Sequence, residues 1–218
     1  MIVTIDGPAG AGKSTVARVL AARLGFRYLD SGAMYRAVTL AGLRQDIDWN
    51  GADALCELVS RLKIELANDR VLLDGEDVTE ALRSEEVTTV SRYAADNVRV
   101  REHLVRLQRE FAAGQDVVSE GRDQGTVVFP DAECKFFLTA GAEERARRRF
   151  RDLQARGESV TLADVLAAQQ RRDQRDANRP VGPLVRAADA IEVSTDGMTV
   201  DQVVDQLAAT VRRRILAH

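Results

Sequence analysis

The feature that most constrains the fold is a glycine-rich segment near the start of the chain. Residues 7–14 read Gly-Pro-Ala-Gly-Ala-Gly-Lys-Ser, which fits the pattern G-x-x-x-x-G-K-[ST]. The segment follows a β-branched run in residues 1–6 and precedes a helical pattern in residues 14–24 that stops at Gly25. A strand, a glycine turn and a helix in this order are the setting that the pattern requires. The sequence therefore predicts a phosphate-binding loop on a parallel α/β sheet.

Each residue type of this loop has a physical role. Glycines let backbone N–H groups turn inward towards phosphate oxygens, and the helix N-terminus adds positive potential. Lys13 is expected to reach the terminal phosphates, and the Ser14 hydroxyl is expected to ligate Mg²⁺ that is otherwise held by substrate phosphates and water. The residues predicted to bind the phosphates of ATP are Gly7, Pro8, Ala9, Gly10, Ala11, Gly12, Lys13, Ser14 and Thr15.

The rest of the chain repeats the alternation of strand and helix. Residues 26–29, 116–119, 134–138 and 190–193 are short apolar segments separated by helical patterns or loops. Together with the first strand they predict an open, largely parallel five-stranded sheet flanked by helices, the fold type of P-loop nucleotide-binding proteins. The first strand is expected at the centre, because it is a short β-branched run that the glycine loop bounds at once.

One region departs from this alternation. Two apolar segments flank Asn68-Asp69 and indicate a β-hairpin, whose next turn is Asp74-Gly75. Thr79 is predicted to cap a helix that follows. A hairpin with its own helices indicates a small α+β insertion in the parallel fold. The predicted boundaries are 60–100 for the insertion and 1–59 and 101–218 for the core domain.

Composition excludes several classes of protein. The formal net charge of −3 argues against a surface built to coat nucleic acid. No charge-free run is long enough for a membrane-spanning helix or a secretory signal, so a cytoplasmic protein without membrane contact is expected. Cys56 and Cys134 lack the spacing of paired ligands, which favours two reduced thiols and no tightly bound protein-ligated metal.

A phosphate loop alone leaves the class of nucleotide-binding protein open. A GTPase of the usual kind needs an Asn-Lys-x-Asp guanine reader, and none of the three lysines follows an asparagine. Two polar clusters instead favour a kinase for a small anionic acceptor, because both follow predicted strands at the edge where α/β sheets bind ligands. The first contains Ser31, a candidate helix cap, and Arg36 one turn later; the second is residues 120–123, Glu-Gly-Arg-Asp. A plain cap with a surface arginine, and an ordinary turn, remain the alternatives.

A third cluster lies on a predicted helix that Thr161 begins and Pro180 ends. Arg172, Asp176 and Arg179 follow the helical spacing i, i+4 and i+7, so they share one face. A solvated helix with ion pairs one turn apart would show the same pattern. The phosphate loop favours the interpretation as an anion-binding face.

These residues resemble the bacterial cytidylate kinases, a family of nucleoside monophosphate kinases, over essentially the full length of the chain. The resemblance implies that residues 60–100 are an insertion that binds the monophosphate and that the arginine-rich residues 143–160 are a lid over ATP. It rests on residues 4–8, 29–36, 72–78 with 82–84, 120–130 and 172–179.

The resemblance also implies roles for single residues. Arg36 and Arg122 match the family's acceptor-phosphate arginines, and Asp123 would accept a hydrogen bond from the exocyclic amine of cytosine. Ser91, Arg101 and Arg179 would read the same base edge, whereas Arg172 and Asp176 would hold the sugar. The CMP-binding set is then Ser31, Arg36, Ser91, Arg101, Arg122, Asp123, Arg172, Asp176 and Arg179, and the catalytic set is Lys13, Arg122, Arg145, Arg148 and Arg149.

The expected reaction is transfer of the γ-phosphoryl group from ATP·Mg²⁺ to CMP or dCMP by a monomer that binds neither nucleic acid nor membrane. No general base is needed, because the acceptor oxygen is already anionic. Two alternatives stay open at this point. One is a pyrimidine nucleoside monophosphate kinase that prefers UMP, and the other is a nucleotide- or RNA-binding regulator without turnover.

Overall fold

The computed structural model of the protein describes residues 1–49, 52–67 and 70–216. The strands are β1 Ile2–Asp6, β2 Arg27–Asp30, β3 Ile64–Ala67, β4 Arg70–Leu73, β5 Glu76–Asp77, β6 Val117–Glu120, β7 Cys134–Thr139 and β8 Ile191–Ser194. The α-helices are α1 Lys13–Leu24, α2 Ser31–Arg44, α3 Ala52–Arg61, α4 Glu85–Asp96, α5 Val98–Ala112, α6 Ala142–Ala155, α7 Leu162–Asn178 and α8 Val200–Ile215. A 3₁₀ turn spans Ala81–Arg83 and a π turn spans Gln124–Val128.

The main sheet is parallel and has the strand order β2-β6-β1-β7-β8. Strand β1 pairs in parallel with β6, where Ile2 lies opposite Val117, and with β7, where Val3 lies opposite Cys134. Its residues Val3 and Ile5 are fully buried, as expected for a strand covered on both faces. The structure thus confirms the five-stranded parallel α/β sheet and the central position of the first strand.

The chain divides into two compact units, Met1–Phe26 with Asp116–His218 and Arg27–Gln115. In the first unit, α1 and α8 pack together through buried residues such as Leu20 and Leu207. Helices α6 and α7 pack against each other around a small apolar cluster of Ala146, Leu153 and Val165. The arginine-rich helix α6 is therefore anchored by a core of its own.

The second unit contains a small antiparallel sheet, in which β4 lies between β3 and β5. Ile64 lies opposite Leu73, which confirms the hairpin, although its turn Asn68-Asp69 lies outside the described residues. The predicted second turn has positive φ at both central residues, 51° at Asp74 and 86° at Gly75, the geometry of a tight hairpin turn. The short third strand β5 was not predicted, and the boundaries 60–100 stay a prediction.

Two predicted helix caps are wrong. Ser31 is the first residue of α2, and the cap is Asp30, whose side chain accepts a hydrogen bond from the Ala33 N–H at 2.8 Å. Thr79 does not cap a helix. Its hydroxyl accepts a hydrogen bond from Val71 N–H at 3.0 Å and donates one to Asp77 at 2.6 Å, so it closes the small sheet instead. Helix α4 begins six residues later, where Ser84 caps it.

Gly7 offers a test of how closely the loop approaches the sheet. Its φ of 145° disfavours any side chain, and an added Cβ would lie 2.1 Å from the backbone oxygen of Leu138. We expect Gly7→Ala to lower the free energy of unfolding by about 3 kcal/mol or more, since backbone must move to relieve the clash. Gly197→Ala is the control, because φ there is 70° but no atom lies within 4 Å, and it should cost only about 1 kcal/mol. Urea unfolding of both variants measures the difference, and equal losses would contradict the close approach.

In the described part of the chain no helix is long and apolar enough to cross a membrane. The two cysteines form no disulfide in the described part of the chain, and Cys134 is buried whereas Cys56 is half-buried.

Candidate active site

The glycine-rich loop connects β1 to α1, as the sequence predicts. Gly10 and Gly12 have φ values of 81° and 88°, a left-handed conformation that glycine adopts without strain. Helix α1 begins at Lys13, so its free N–H groups face the loop. Lys13 is 5% exposed, and its Nζ donates a hydrogen bond to the backbone oxygen of Pro8 at 2.9 Å. The loop and the helix end form the anion-binding arrangement that the motif requires.

The surroundings of Lys13 are strongly cationic. The pKa of its ammonium group is lowered from 10.5 to about 7, mainly by burial. The positive charges of Arg122 and Arg172 act in the same direction, and the negative charge of Glu120 opposes them. Bringing phosphate groups to this cluster would offset the repulsion and favour the charged lysine. The electrostatics therefore favour a polyanionic ligand at this end of the sheet.

Ser14 and Glu120 place two oxygen ligands beside the loop. The Ser14 hydroxyl donates a hydrogen bond to Glu120 Oε1 at 2.7 Å, which joins α1 to the end of β6. Hydroxyl and carboxylate oxygens are the ligands that Mg²⁺ prefers. Among the described residues no group of three His, Cys, Asp or Glu side chains could hold a metal ion by itself.

The arginines of α6 differ in what they contact. Arg145 is buried, donates through Nη1 to the backbone oxygen of Ala9 at 2.9 Å, and forms an ion pair with Asp173 at 2.8 Å. Arg148 donates to Thr195 Oγ1 at 3.0 Å and to its backbone oxygen at 2.9 Å. Both guanidinium groups are therefore engaged by protein groups around the loop.

Arg149 is the exception among the three α6 arginines expected to be catalytic. Its side chain is half-buried and makes no hydrogen bond or ion pair to any residue that the structure describes. A guanidinium group without protein partners keeps all of its donors for a ligand. Of the three, Arg149 is the one whose donors are not already used.

The second predicted cluster meets the third in one ion-pair network. Arg122, just after β6, donates through Nε to Asp176 Oδ2 at 2.8 Å, and Arg179 donates to Asp176 Oδ1 at 3.0 Å. Burial alone would raise the pKa of Asp176, but the charges of Arg122, Arg172 and Arg179 outweigh it, so the pKa lies below its usual value. Arg179 follows the last residue of α7 and does not lie within the helix, yet it still reaches Asp176.

Asp123 follows Arg122 and immediately precedes the π turn. It is 4% exposed, and its backbone oxygen accepts hydrogen bonds from Val127 and Val128 at 2.9 and 3.1 Å. The two N–H groups at the start of this turn, of Gln124 and Gly125, donate to the side chain of Asp6. Sequence reasoning did not single out Asp6, because these partners lie 118 and 119 residues away in the chain.

Burial of Asp6 predicts an unusual dependence of stability on pH. Burial raises the pKa of Asp6 from 3.8 to about 6, despite hydrogen bonds from Gly125 and Gln124 that lower it. The folded protein thus holds this proton more tightly than the unfolded chain, so the group stabilises the fold at low pH and this contribution is lost as pH rises through 6. Relative to Asp6→Asn, the wild-type free energy of unfolding should fall by about 2 kcal/mol from pH 4 to pH 7. Urea unfolding at both pH values tests this, and a difference that rises with pH would contradict it.

The remaining predicted site residues lie in the second unit. Arg36 donates to Asp30 at 3.2 Å, the same carboxylate that caps α2. Ser31 is buried at the start of this helix. The first two turns of α2 therefore carry the Ser31 hydroxyl and the Arg36 guanidinium group, and Asp30 holds the guanidinium group in place.

Arg101 and Ser91 lie on neighbouring helices of the same unit. Arg101, on α5, is 2% exposed, and its guanidinium carbon lies 5.5 Å from the centre of the Tyr35 ring. Its Nη1 donates to the backbone oxygen of Ala95 at 3.2 Å. Ser91, on α4, donates to the backbone oxygen of Thr88 at 2.8 Å. Burial of a guanidinium group is costly unless it is paired, and the bond to Ala95 and the face of the Tyr35 ring offset part of this cost.

Comparison with known proteins points to a single family. A family model described as cytidylate kinase matches residues 3–213. A cytidylate kinase from Rhodopirellula baltica is 51% identical over 217 residues, which cover 100% of this chain and 95% of that protein. A cytidylate kinase from Vibrio cholerae is 46% identical over 219 residues, with 99% and 97% covered. The crystal structure of a shikimate kinase from Bacteroides thetaiotaomicron superposes with a TM-score of 0.50 at 16% identity, covering 97% of this chain and 98% of that one, which shows a shared fold.

Proposed function

Because the chain belongs to the cytidylate kinase family, we propose that it transfers the γ-phosphoryl group of ATP to CMP or dCMP and releases ADP with CDP or dCDP. The observation that carries the proposal is the cationic cluster around Lys13. A buried lysine on a phosphate loop has Arg122 and Arg172 as electrostatic neighbours, and Arg122 is held by Asp176. The cluster suits two phosphate groups that approach each other, since their mutual repulsion needs positive charge between them.

Catalysis in this proposal is positioning and neutralisation of charge. A phosphate oxygen of CMP is anionic at neutral pH and attacks without a general base. Lys13 would follow the transferring group, and Arg122 would hold the acceptor phosphate in line with it. Arg149 is the α6 arginine best suited to the charge that develops on the transferred group, because Arg145 and Arg148 bind backbone around the loop.

Mg²⁺ with ATP fits the oxygen ligands beside the loop. Ser14 would supply a direct ligand, and Glu120, hydrogen-bonded to it, would orient that hydroxyl or a water molecule. When bound, the ion would neutralise charge on the β- and γ-phosphates.

Selection of cytosine would depend on Asp123. A buried carboxylate accepts a hydrogen bond from the exocyclic amine of cytosine, whereas uracil presents a carbonyl oxygen at the same position. Two acceptors facing each other out of water are unfavourable, so CMP is preferred over UMP. Arg101, Ser91 and Arg179 would complete the contacts to the base, and Arg172 with Asp176 would hold the sugar. Arg36 and Arg122 would bind the acceptor phosphate, and Ser31 would also contact CMP.

The larger arrangement follows the family. Residues 60–100 would form the monophosphate-binding insertion, and residues 143–160 would form a lid that closes over ATP when both substrates are bound. We propose a cytoplasmic monomer that acts on free nucleotides, without a nucleic acid or membrane partner.

Turnover of ATP with separate acceptors tests the proposal. CMP, dCMP, UMP, AMP and GMP are compared at fixed Mg²⁺, with Lys13→Ala as the blank. The expected result is turnover led by CMP and dCMP. Turnover led by UMP would transfer the assignment to a broader pyrimidine kinase, and ATP binding with no acceptor-dependent turnover would overturn the proposal.

A further inference from the structure

Four buried polar side chains lie on the main sheet beneath the loop that carries Arg122 and Asp123. Thr4 lies in register with Ser119 of β6 on one side and with Lys135 of β7 on the other. Asp6 is two residues after Thr4 on β1 and points to the same face. None of the four is more than 9% exposed. We call Thr4, Asp6, Ser119 and Lys135 the polar floor.

Three of the four residues of the polar floor form hydrogen bonds with this loop, and these bonds lie at both of its ends. Asp6 Oδ1 accepts a hydrogen bond from Gln124 N–H at 2.9 Å, and Oδ2 accepts one from Gly125 N–H at 2.7 Å. Ser119 donates to the Gln124 side chain at 2.5 Å. At the far end, Lys135 donates to the backbone oxygen of Pro130. A polar face in the middle of a parallel sheet is unusual, and here most of it serves one loop.

The contact is also close sterically. A Cβ added at Gly125 would lie 2.9 Å from Thr4 Oγ1 and 3.4 Å from Asp6 Oδ2. The backbone of the π turn therefore rests directly on β1. Because the carboxylate has one oxygen for each N–H group, it defines both the height and the rotation of the turn over the sheet.

Asp123 is joined to the same π turn by hydrogen bonds of its own backbone. Its backbone oxygen accepts hydrogen bonds from Val127 and Val128, so the residue moves with the turn as one piece. Asp123 itself is buried, and a displacement of a few tenths of an ångström would change the hydrogen bond that it offers to a base. The placement of Asp123 thus depends on a carboxylate that does not reach the substrate.

We propose that Asp6 is a positioning residue for recognition of the acceptor base: its paired hydrogen bonds to Gln124 and Gly125 hold Asp123 where it distinguishes CMP from UMP. This rests on the proposed function, in which Asp123 faces cytosine. Asp6 precedes the phosphate loop, yet its side chain binds the acceptor loop. Its removal should therefore affect CMP more than ATP.

Asp6→Asn tests the proposal with little change of shape. An amide can accept only one of the two N–H bonds and presents a donor to the other. We expect the ratio of kcat/KM for CMP to that for UMP to fall about tenfold, with KM for ATP changed less than twofold. Hydrogen–deuterium exchange of the peptide that spans residues 120–130 should become faster in the protein without ligands.

Thr4→Val is the matched control. Thr4 is a neighbour of Asp6 on the same face, and its buried Oγ1 has no hydrogen-bond partner among residues 1–49, 52–67 and 70–216. Valine has the same shape, so the selectivity and the exchange rate should stay as in the wild type. Equal changes in both variants would mean that any alteration of this face has the effect, and would overturn the proposal.

Gly125→Ala provides an independent test if Asp6→Asn does not fold. The added methyl group should lift the turn from β1 and lower the CMP-to-UMP ratio, and the double variant Gly125→Ala with Thr4→Ala should restore part of it, because Thr4 Oγ1 is the nearest atom. No loss in the single variant, or no recovery in the double variant, would contradict a role for the height of the turn.

The exchange measurement separates this proposal from the proposed function. If the wild type does not phosphorylate CMP but Asp6→Asn still speeds exchange in residues 120–130, the proposed function fails and Asp6 remains the support of the loop. If the wild type prefers CMP and Asp6→Asn changes neither exchange nor selectivity, the proposed function stands and the positioning role of Asp6 is wrong.

Discussion

Replacing Lys13 by alanine is expected to lower kcat for phosphoryl transfer to CMP by about a thousandfold. The lysine is buried among positive charges from Arg122 and Arg172, so its ammonium group is retained at a cost to the free protein. The charged lysine becomes favourable when phosphate groups bind beside it. Its stabilising effect is largest in the transition state, where negative charge spreads over the transferring group. The measurement is the steady-state rate with saturating ATP and CMP.

Lys63→Ala is the control for Lys13→Ala. Lys63 is exposed and pairs with Glu65 on β3, so its loss should leave kcat within twofold of the wild type. The Lys13 variant should keep its thermal midpoint or gain stability, because removal of a crowded buried cation relieves repulsion. A fall in kcat of less than tenfold, with the fold intact, would contradict a role for Lys13 at the transferring phosphate.

The second large effect is expected for Arg122→Ala, which should lower kcat/KM for CMP on the order of a hundredfold. Arg122 is mostly buried, bonded to Asp176 through Nε, and an electrostatic neighbour of Lys13. Its planar group is thereby oriented before any ligand binds, which is the condition for a strong bond to phosphate. Initial rates at varied CMP and at varied ATP measure the effect on each substrate.

The two substrates should respond differently to Arg122→Ala. KM for CMP is expected to rise much more than KM for ATP, because Arg122 is assigned to the acceptor phosphate. Arg147→Ala, an exposed arginine of α6 paired with Glu143, should change neither value. An equal rise in both KM values would assign Arg122 to the donor side of the reaction.

The fold could be predicted to a large extent because its signals are local. β-branched runs bounded by glycine turns mark β1, and strand boundaries shift by only about one residue at β2 and β6. The cap of α2 could not be predicted in the same way. Asp30 and Ser31 are adjacent and both can cap a helix, and only the backbone geometry decides that Asp30 accepts from Ala33.

The errors have a common cause, which is pairing between distant parts of the chain. Thr79 is a good capping residue by type, but its hydroxyl is used by Val71 in the neighbouring strand. Asp6 reads as the end of an apolar strand, and its partners Gln124 and Gly125 are 118 and 119 residues away in sequence. No local pattern shows such a bond.

The candidate site likewise has features that local sequence patterns predict and features that depend on contacts between distant residues. The phosphate loop follows from its motif, and Asp176 and Arg179 are brought together as their spacing suggested, whereas the bond from Arg122 to Asp176 joins two clusters that no spacing connects. The arginine-rich sequence of α6 does not reveal which guanidinium groups are engaged by protein oxygens. The structure separates them, with Arg145 and Arg148 on backbone oxygens of Ala9 and Thr195.

The identity of the products tests the central assignment most directly. ³¹P NMR of a reaction that contains the protein, ATP, Mg²⁺ and CMP should show CDP and ADP forming together in equal amounts, with no inorganic phosphate. ADP accompanied by inorganic phosphate, with CMP unchanged, would contradict the assignment, because it would make the protein a hydrolase and leave the arginine clusters without their acceptor.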